Sequence, residues 1–100
     1  MTKFLSLKRS DKPDKKYMVT LETAAGRTKT IHFGDSSLKD YTLFSAAERM
    51  ERKKAYLARH AATEDWNDPE TAGFWSRHIL WGDTPSVQSN LKITKRRFGL

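Results

Sequence analysis

The chain has 100 residues and no cysteine, and 37% of its residues are hydrophobic. This length is typical of a single compact domain. The absence of cysteine excludes disulfide bonds, thiolate nucleophiles and cysteine-ligated zinc. The net charge of +7 favours a polyanionic partner, either nucleic acid or an acidic protein surface. No apolar run approaches the ~18 residues of a membrane span, so we expect no span and synthesis in the cytoplasm.

Alternating apolar and polar residues in the first third of the chain predict β-strands. The run KYMVTLE (16–22) alternates in this way, and TKTIHF (28–33) is rich in β-branched residues. The short connection between the two runs contains Gly26, which can adopt a positive φ, so we expect a hairpin. The run FLSL (4–7) shows the same alternation and predicts a third strand.

A first helix is predicted over residues 45–62. Ser45 precedes Glu48 by three residues, which is the spacing of a capping box. Helical spacing defines one narrow apolar stripe along this helix, and we expect it to pack on the rest of the protein. The positions of that stripe are Ala47, Met50, Lys54, Leu57 and Ala61.

Two dipeptides predict where the remaining helices begin. The Asp-Pro pair at 68–69 and the Thr-Pro pair at 84–85 each place a capping side chain before proline, a residue favoured at the first helical position. The second helix is then predicted to end at Gly82, and Gly99 is predicted to stop the third.

These elements predict an α+β fold in a single domain over residues 1–100. Residues 1–34 form a small N-terminal antiparallel β-hairpin or meander, and residues 45–99 form three α-helices.

The second predicted helix contains TAGFWSRHILWG, which is apolar nearly all the way round. That pattern is typical of a helix buried between other elements. We expect Phe74, Ile79 and Leu80 to lie in the core. For Trp75 and Trp81 two placements are possible, in the core or at an interface, because tryptophan often keeps its indole N–H at a solvent-accessible boundary.

Sequence signatures of catalysis are absent: there is no glycine-rich phosphate loop, no HExxH and no GxSxG. The three histidines, His32, His60 and His78, lack the spacing of zinc ligands. We therefore expect that the protein is not an enzyme and that it needs neither a cofactor nor a metal.

Basic residues concentrate on the first helix and near the C-terminus. At the C-terminal end of a helix, cations are also explained by the helix macrodipole. No zinc finger, RNP-type strand or GXXG loop is found. Cations that share a face with aromatic side chains would form a surface for protein or nucleic acid. The candidate contact residues are Arg49, Arg52, Lys53, Tyr56, Arg59, Trp75, Arg77, Trp81, Lys95, Arg96 and Arg97.

Four segments in a fixed order carry a family resemblance. They read HFGDSSLKDYT (32–42), ERKKAYLARH (51–60), EDWNDPETAGFWSRHILWG (64–82) and a closing RRF. In this combination the chain resembles a family of small uncharacterised proteins of large and giant double-stranded DNA viruses. The sequence departs from that pattern at Ala55, where a basic residue is usual, and at His78, where tryptophan is common.

The resemblance implies a viral source, and it supplies no catalytic residues. One interpretation is a virion structural protein, a minor capsid or cement component that contacts larger capsid subunits through aromatic and basic surfaces. Such a protein is made in the host cytoplasm and is located in the virion. The other interpretation is a viral DNA-binding accessory protein, in which the same basic surface meets viral DNA.

Overall fold

A computed structural model describes residues 1–100. The first third forms an antiparallel sheet in the order β1-β2-β3, so β2 is the central strand. The strands are β1 (Lys3–Arg9), β2 (Lys15–Glu22) and β3 (Thr28–Asp35). Three helices follow, and the predicted α+β fold is confirmed. They are α1 (Ala46–His60), α2 (Ala72–Trp75), which continues into a π-helical turn (Ser76–Leu80), and α3 (Val87–Phe98). None of these helices combines the length and apolar composition that crossing a bilayer requires.

One face of the sheet carries the apolar side chains. Val19 on β2 is fully buried and lies between its cross-strand partners Leu7 on β1 and Ile31 on β3. Residues directly opposite each other in antiparallel strands share a face, so these three side chains form one apolar row. The other face is polar: the hydroxyl oxygens of Thr20 and Thr30 are 3.2 Å apart there. The alternation therefore sets which face of the sheet the helices cover.

The predicted hairpin between β2 and β3 is confirmed. The Thr23 amide donates a hydrogen bond of 2.7 Å to the Arg27 carbonyl, which closes the turn. Gly26 lies inside it with a φ of 82°, in the region where only glycine is free of a Cβ clash.

The second helix covers the apolar face of the sheet. Phe74, Trp75 and Ile79 are fully buried and Leu80 is 2% exposed, so the predicted core residues of this helix are confirmed. Trp75 also belongs to the core, and its indole Nε1 donates a 2.8 Å hydrogen bond to the Pro69 carbonyl. That bond satisfies the only polar atom of the side chain, which removes the cost of burying it.

The predicted apolar stripe of α1 is wrong. Met50 is 65% exposed, and Ala47, Lys54 and Ala61 are exposed as well. Leu57 is partly buried and packs against the core.

The inward face of α1 consists of Arg49, Lys53, Tyr56 and His60, which recur at helical spacing and are the least exposed residues of the helix together with Leu57. Only Tyr56 on this face counts as apolar. A search for hydrophobic periodicity misses such a face, because long cationic side chains can bury their aliphatic stems while their heads reach a partner. The Ser45 side chain makes no capping bond to a backbone amide.

The second helix begins later than its Asp-Pro dipeptide predicts, at Ala72. The Asp68 carboxylate accepts a 2.9 Å bond from the Glu70 amide, which closes a turn instead of capping a helix. The hydroxyl of Thr71 then accepts from the Phe74 amide at 3.3 Å. Thr71 is therefore the residue that caps this helix.

The third helix also begins after its predicted start, at Val87, with the Ser86 side chain as its cap. The Thr84 hydroxyl is occupied because it donates a 2.9 Å bond to the Asn90 side chain. The prediction for the other end is confirmed, since Gly99 follows the helix with a φ of 66°.

We expect Trp75→Ala to lower the free energy of unfolding by ~3–5 kcal/mol, as large-to-small changes in a packed core do. The reason is the loss of a fully buried indole and of its hydrogen bond. Leu5→Ala, at a side chain that is 51% exposed, is the control and should cost less than ~1 kcal/mol. Urea denaturation measures both values. Equal small losses in the two variants would contradict the placement of Trp75.

Candidate binding groove

The loop between β3 and α1 is held by a buried ion pair. The Asp40 side chain is 3% exposed and its Oδ2 lies 2.6 Å from the Nζ atom of Lys16 on β2. The other carboxylate oxygen accepts bonds from the amide of Thr42, at 2.8 Å, and from the Thr42 hydroxyl. The next residue, Tyr41, donates its amide to the Leu80 carbonyl at 3.1 Å. The loop is therefore fixed both to the sheet and to the end of the π-helical turn.

This fixed loop forms one wall of a groove with a cavity volume of about 520 Å³. The end of β3, one flank of α1 and the second helix form the other walls. Its apolar lining comes from both halves of the fold, and the residues that contribute it include Phe33, Leu38, Phe44, Ala55, Tyr56, Leu80 and Trp81. We call this site the groove.

The π-helical turn sets the position of Trp81 in the groove. The amide of Trp81 donates to the Ser76 carbonyl at 3.1 Å, five residues back instead of the four of an α-helix. The helix ends at Leu80, before the predicted Gly82. Trp81 then stacks on Tyr56 of α1, with ring centres 4.5 Å apart and planes 6° apart. Single π-helical turns are rare and occur frequently at functional sites.

Gly34 brings β3 close to the second helix at the floor of the groove. A Cβ atom at this position would lie 2.6 Å from the Leu80 side chain, and Gly34 has a φ of +82°. Both the space and the backbone conformation therefore require glycine.

The rim of the groove carries more cations than carboxylates. Lys16 and Asp40 neutralise each other, and the remaining charged Lys, Arg, Asp and Glu side chains of the lining are Lys15, Lys39, Arg52, Arg59, Asp35 and Glu64. The Arg52 guanidinium lies over the Phe44 ring, 5.2 Å from its centre, a position that orients the cation before any partner arrives. The Asp35 carboxylate accepts hydrogen bonds from Ser37, which lower the pKa of Asp35.

Tyr56 lies at the side of the groove as a neutral phenol. Its ring is placed between those of Trp81 and His60, at 4.5 and 4.4 Å. Burial, and secondly the carboxylate of Glu64, raise the pKa of Tyr56 to about 12. A phenol with this pKa is not ionised at neutral pH, so Tyr56 contributes a neutral hydroxyl group to the groove.

Two of the predicted contact residues on α1 are used inside the fold. Lys53 donates a 2.8 Å bond to the Gly82 carbonyl, and burial lowers its pKa. Arg49 donates to the Phe44 carbonyl at 3.2 Å. Both cations also lie over the ring of Tyr41, at 5.0 and 5.5 Å. They join α1 to the loop and to the second helix, whereas Arg52 and Arg59 face the groove.

The other candidates divide into engaged and exposed side chains. Arg77 donates to the Trp81 carbonyl at 2.6 Å, and burial lowers its pKa. Arg97 forms an ion pair of 2.7 Å with Asp83. Lys95 lies over the Phe4 ring at 4.8 Å, and Arg96 is exposed. The groove thus brings together Arg52, Tyr56, Arg59 and Trp81 but not Trp75, Arg77 or the C-terminal cations.

The three histidines do not meet. The Nδ1 atom of His32 is 2.7 Å from the Ser10 hydroxyl, and His60 lies 3.8 Å from a carboxylate oxygen of Glu64. His78 is buried beside the Trp66 carbonyl at 2.8 Å, and burial lowers its pKa. No set of three His, Asp or Glu side chains is close enough to hold a metal ion.

Several groove residues were missed by the sequence analysis. Lys15 and Lys39 were not among the candidates, and neither were Leu38 and Phe44. A signal was present for Leu38 and Lys39, because both lie in the HFGDSSLKDYT segment (32–42) of the family resemblance, whereas Lys15 and Phe44 lie outside it. Residue spacing alone could not predict that this loop lies opposite α1, because irregular segments lack the hydrophobic periodicity that identifies helices and strands.

Fold and groove together define a small α+β protein with a basic groove between its sheet and its helices. The profile of a family of unknown function (DUF5754) matches residues 5–60, more than half of the chain, and the chain belongs to this family. The matched residues hold most of the sheet, the loop and α1, and they end before the helix that covers the sheet. No curated protein and no solved structure matches the chain.

We expect Asp40→Asn to lower the free energy of unfolding by ~3–5 kcal/mol, because it leaves the Lys16 cation without its buried partner. The control is Asp83→Asn. Asp83 also pairs with a cation at 2.7 Å, but its side chain is 46% exposed, so we expect a loss of less than ~1 kcal/mol. Urea denaturation of both variants checks the difference. If Asp40→Asn and Asp83→Asn cost the same, the loop is not held by its buried pair.

Proposed function

We propose that the protein is a virion structural protein of a large double-stranded DNA virus, a minor capsid or cement component that contacts larger capsid subunits. The viral source is part of the proposal and rests on the four segments of the resemblance. The protein is synthesised in the host cytoplasm and incorporated into the virion. The observation that carries the contact with another protein is a surface on which unpaired cations and exposed apolar side chains are mixed.

The unpaired cations support an acidic partner. Of the 19 Lys and Arg residues, only Lys16 and Arg97 lie within hydrogen-bonding distance of a carboxylate. Partnerless cations repel each other, and an acidic surface relieves that repulsion while steering the encounter. The groove rim is where such cations lie beside apolar groups.

The exposed apolar residues support a protein partner in particular. Leu38, Leu43 and Met50 are 63%, 57% and 65% exposed, and all three belong to the loop or to the first turns of α1. Protein interfaces are enriched in aromatic residues, Met and Arg. Phosphate contacts to DNA, by contrast, need cations and polar groups but no apolar patches.

The buried aromatic residues argue against a base-stacking surface. Trp75 is fully buried, and Tyr56 and Trp81 are 7% and 9% exposed. Proteins that bind single strands without sequence preference stack bases on accessible aromatic rings. Here Tyr56 and Trp81 stack on each other, and Trp75 packs against Phe4 and Phe74.

The alternative is the viral DNA-binding accessory protein, and the observation that favours it is the number of unpaired cations. A non-specific basic surface gains affinity mostly from counterion release, so its binding falls steeply with salt.

For the capsid component we expect DNA binding to be weak and to be lost by about 0.15 M salt. Submicromolar binding to duplex DNA at that salt concentration would replace the capsid proposal with the alternative.

We expect a variant with Arg52→Glu and Arg59→Glu to be incorporated into virus particles at least roughly tenfold less than the native chain, because both cations lie on the groove rim and rim charges steer association. The matched control carries Arg27→Glu and Arg96→Glu, which change the net charge equally at exposed sites outside the groove. Quantitative mass spectrometry of purified particles, relative to the major capsid protein, measures incorporation. Equal incorporation of both variants, or absence of the native chain from particles, contradicts the proposal.

A further inference from the structure

We infer that the groove receives an extended acidic segment of the partner protein, with carboxylates at the rim cations and an apolar side chain between the loop and α1. This inference rests on the proposed function and deepens it, because it names the site and the chemistry of the contact. The inference is carried by the shape, charge and lining of the groove together.

The size of the groove fits part of a polypeptide. Its volume of about 520 Å³ falls inside the roughly 300–1,000 Å³ of pockets that bury organic ligands. The apolar side chains Leu38, Phe44 and Ala55 line the groove from the loop and from α1. An apolar side chain of the partner placed between them would be removed from contact with water. Burial of apolar surface is the main favourable contribution to association.

The spacing of the cations fits an extended segment better than a single anion. Arg52 and Arg59 are seven positions apart on one flank of α1, which corresponds to about 10 Å along the helix axis. The Arg52 guanidinium lies over the Phe44 ring, so contact of both cations with one carboxylate or phosphate would require the Arg59 side chain to extend along the helix towards it. An extended chain covers the same distance with about three residues.

The carboxylates in the lining favour a peptide over a nucleic acid strand. Asp35 and Glu64 contribute negative charge to the same groove. A phosphodiester chain carries a charge at every step and would be repelled there. A peptide can instead place an uncharged residue beside these carboxylates and donate its backbone N–H groups to them.

Two alanines of α1 provide a matched test of the groove. Ala55 and Ala58 are both exposed on the same helix, but only Ala55 lines the groove. Ala55→Trp fills the groove without changing any charge, and Ala58→Trp adds the same side chain outside it. Circular dichroism and urea denaturation establish that both variants fold before binding is compared.

The probe is a short fluorescein-labelled peptide that alternates Glu and Leu, titrated with the full chain and followed by fluorescence anisotropy. We expect Ala55→Trp to weaken binding of the peptide by roughly tenfold or more, because the new side chain occupies the space that an anchoring side chain of the peptide needs. Ala58→Trp should weaken binding by less than about threefold, because it lies outside the groove. A single-stranded oligodeoxynucleotide of equal charge should bind more weakly than the peptide. A peptide of alternating Lys and Leu should not bind.

Equal affinities of the two tryptophan variants for the Glu-Leu peptide would overturn the inference, and so would tighter binding of the oligodeoxynucleotide. These outcomes are separate from failure of the proposed function, which is decided by whether the native chain is present in particles. If the native chain is abundant in particles and its Ala55→Trp variant is incorporated normally, the proposed capsid role stands. The inference that the groove is the contact site is then wrong.

Discussion

The buried ion pair between Lys16 and Asp40 is the constraint on which the groove depends. A carboxylate that is 3% exposed is costly to desolvate, so it persists only with a close cation and further hydrogen bonds. Asp40 has both, and the bonds it accepts from Thr42 shape the loop locally. Because Tyr41 in the same loop is bonded to the Leu80 carbonyl, one pair aligns the sheet, the loop and the second helix.

The second helix has two roles that depend on each other. Its buried side chains cover the apolar face of the sheet and keep it from water. Its π-helical turn is followed directly by Trp81, which packs on α1. The stack of Trp81 on Tyr56 joins α1 to the rest of the fold through aromatic contact and through the cations Arg49 and Lys53. Consequently the face of α1 that packs on the rest of the protein is largely polar. Arg52 and Arg59 lie on the flank that lines the groove.

Regular patterns in the sequence predicted much of the fold, whereas the site depended on contacts that no pattern encodes. Alternation and Gly26 predicted the hairpin, and the apolar segment around Trp75 predicted the buried helix. The face of α1 was predicted wrongly because its inward residues include Arg49 and Lys53, which hydropathy places outside. The Lys16–Asp40 pair joins residues 24 positions apart, and a single sequence holds no signal for such a pairing.

Carbodiimide cross-linking of purified particles tests the central claim most directly, because this reagent joins amines to carboxylates that are already in contact. Lys15 and Lys39 on the groove rim supply the amines, and mass spectrometry identifies what they join. We expect links from these two lysines to Asp or Glu residues of a larger capsid protein. If the chain is present in particles and its rim lysines form no such links, while formaldehyde fixes the chain to viral DNA, the surface meets nucleic acid and the account is wrong.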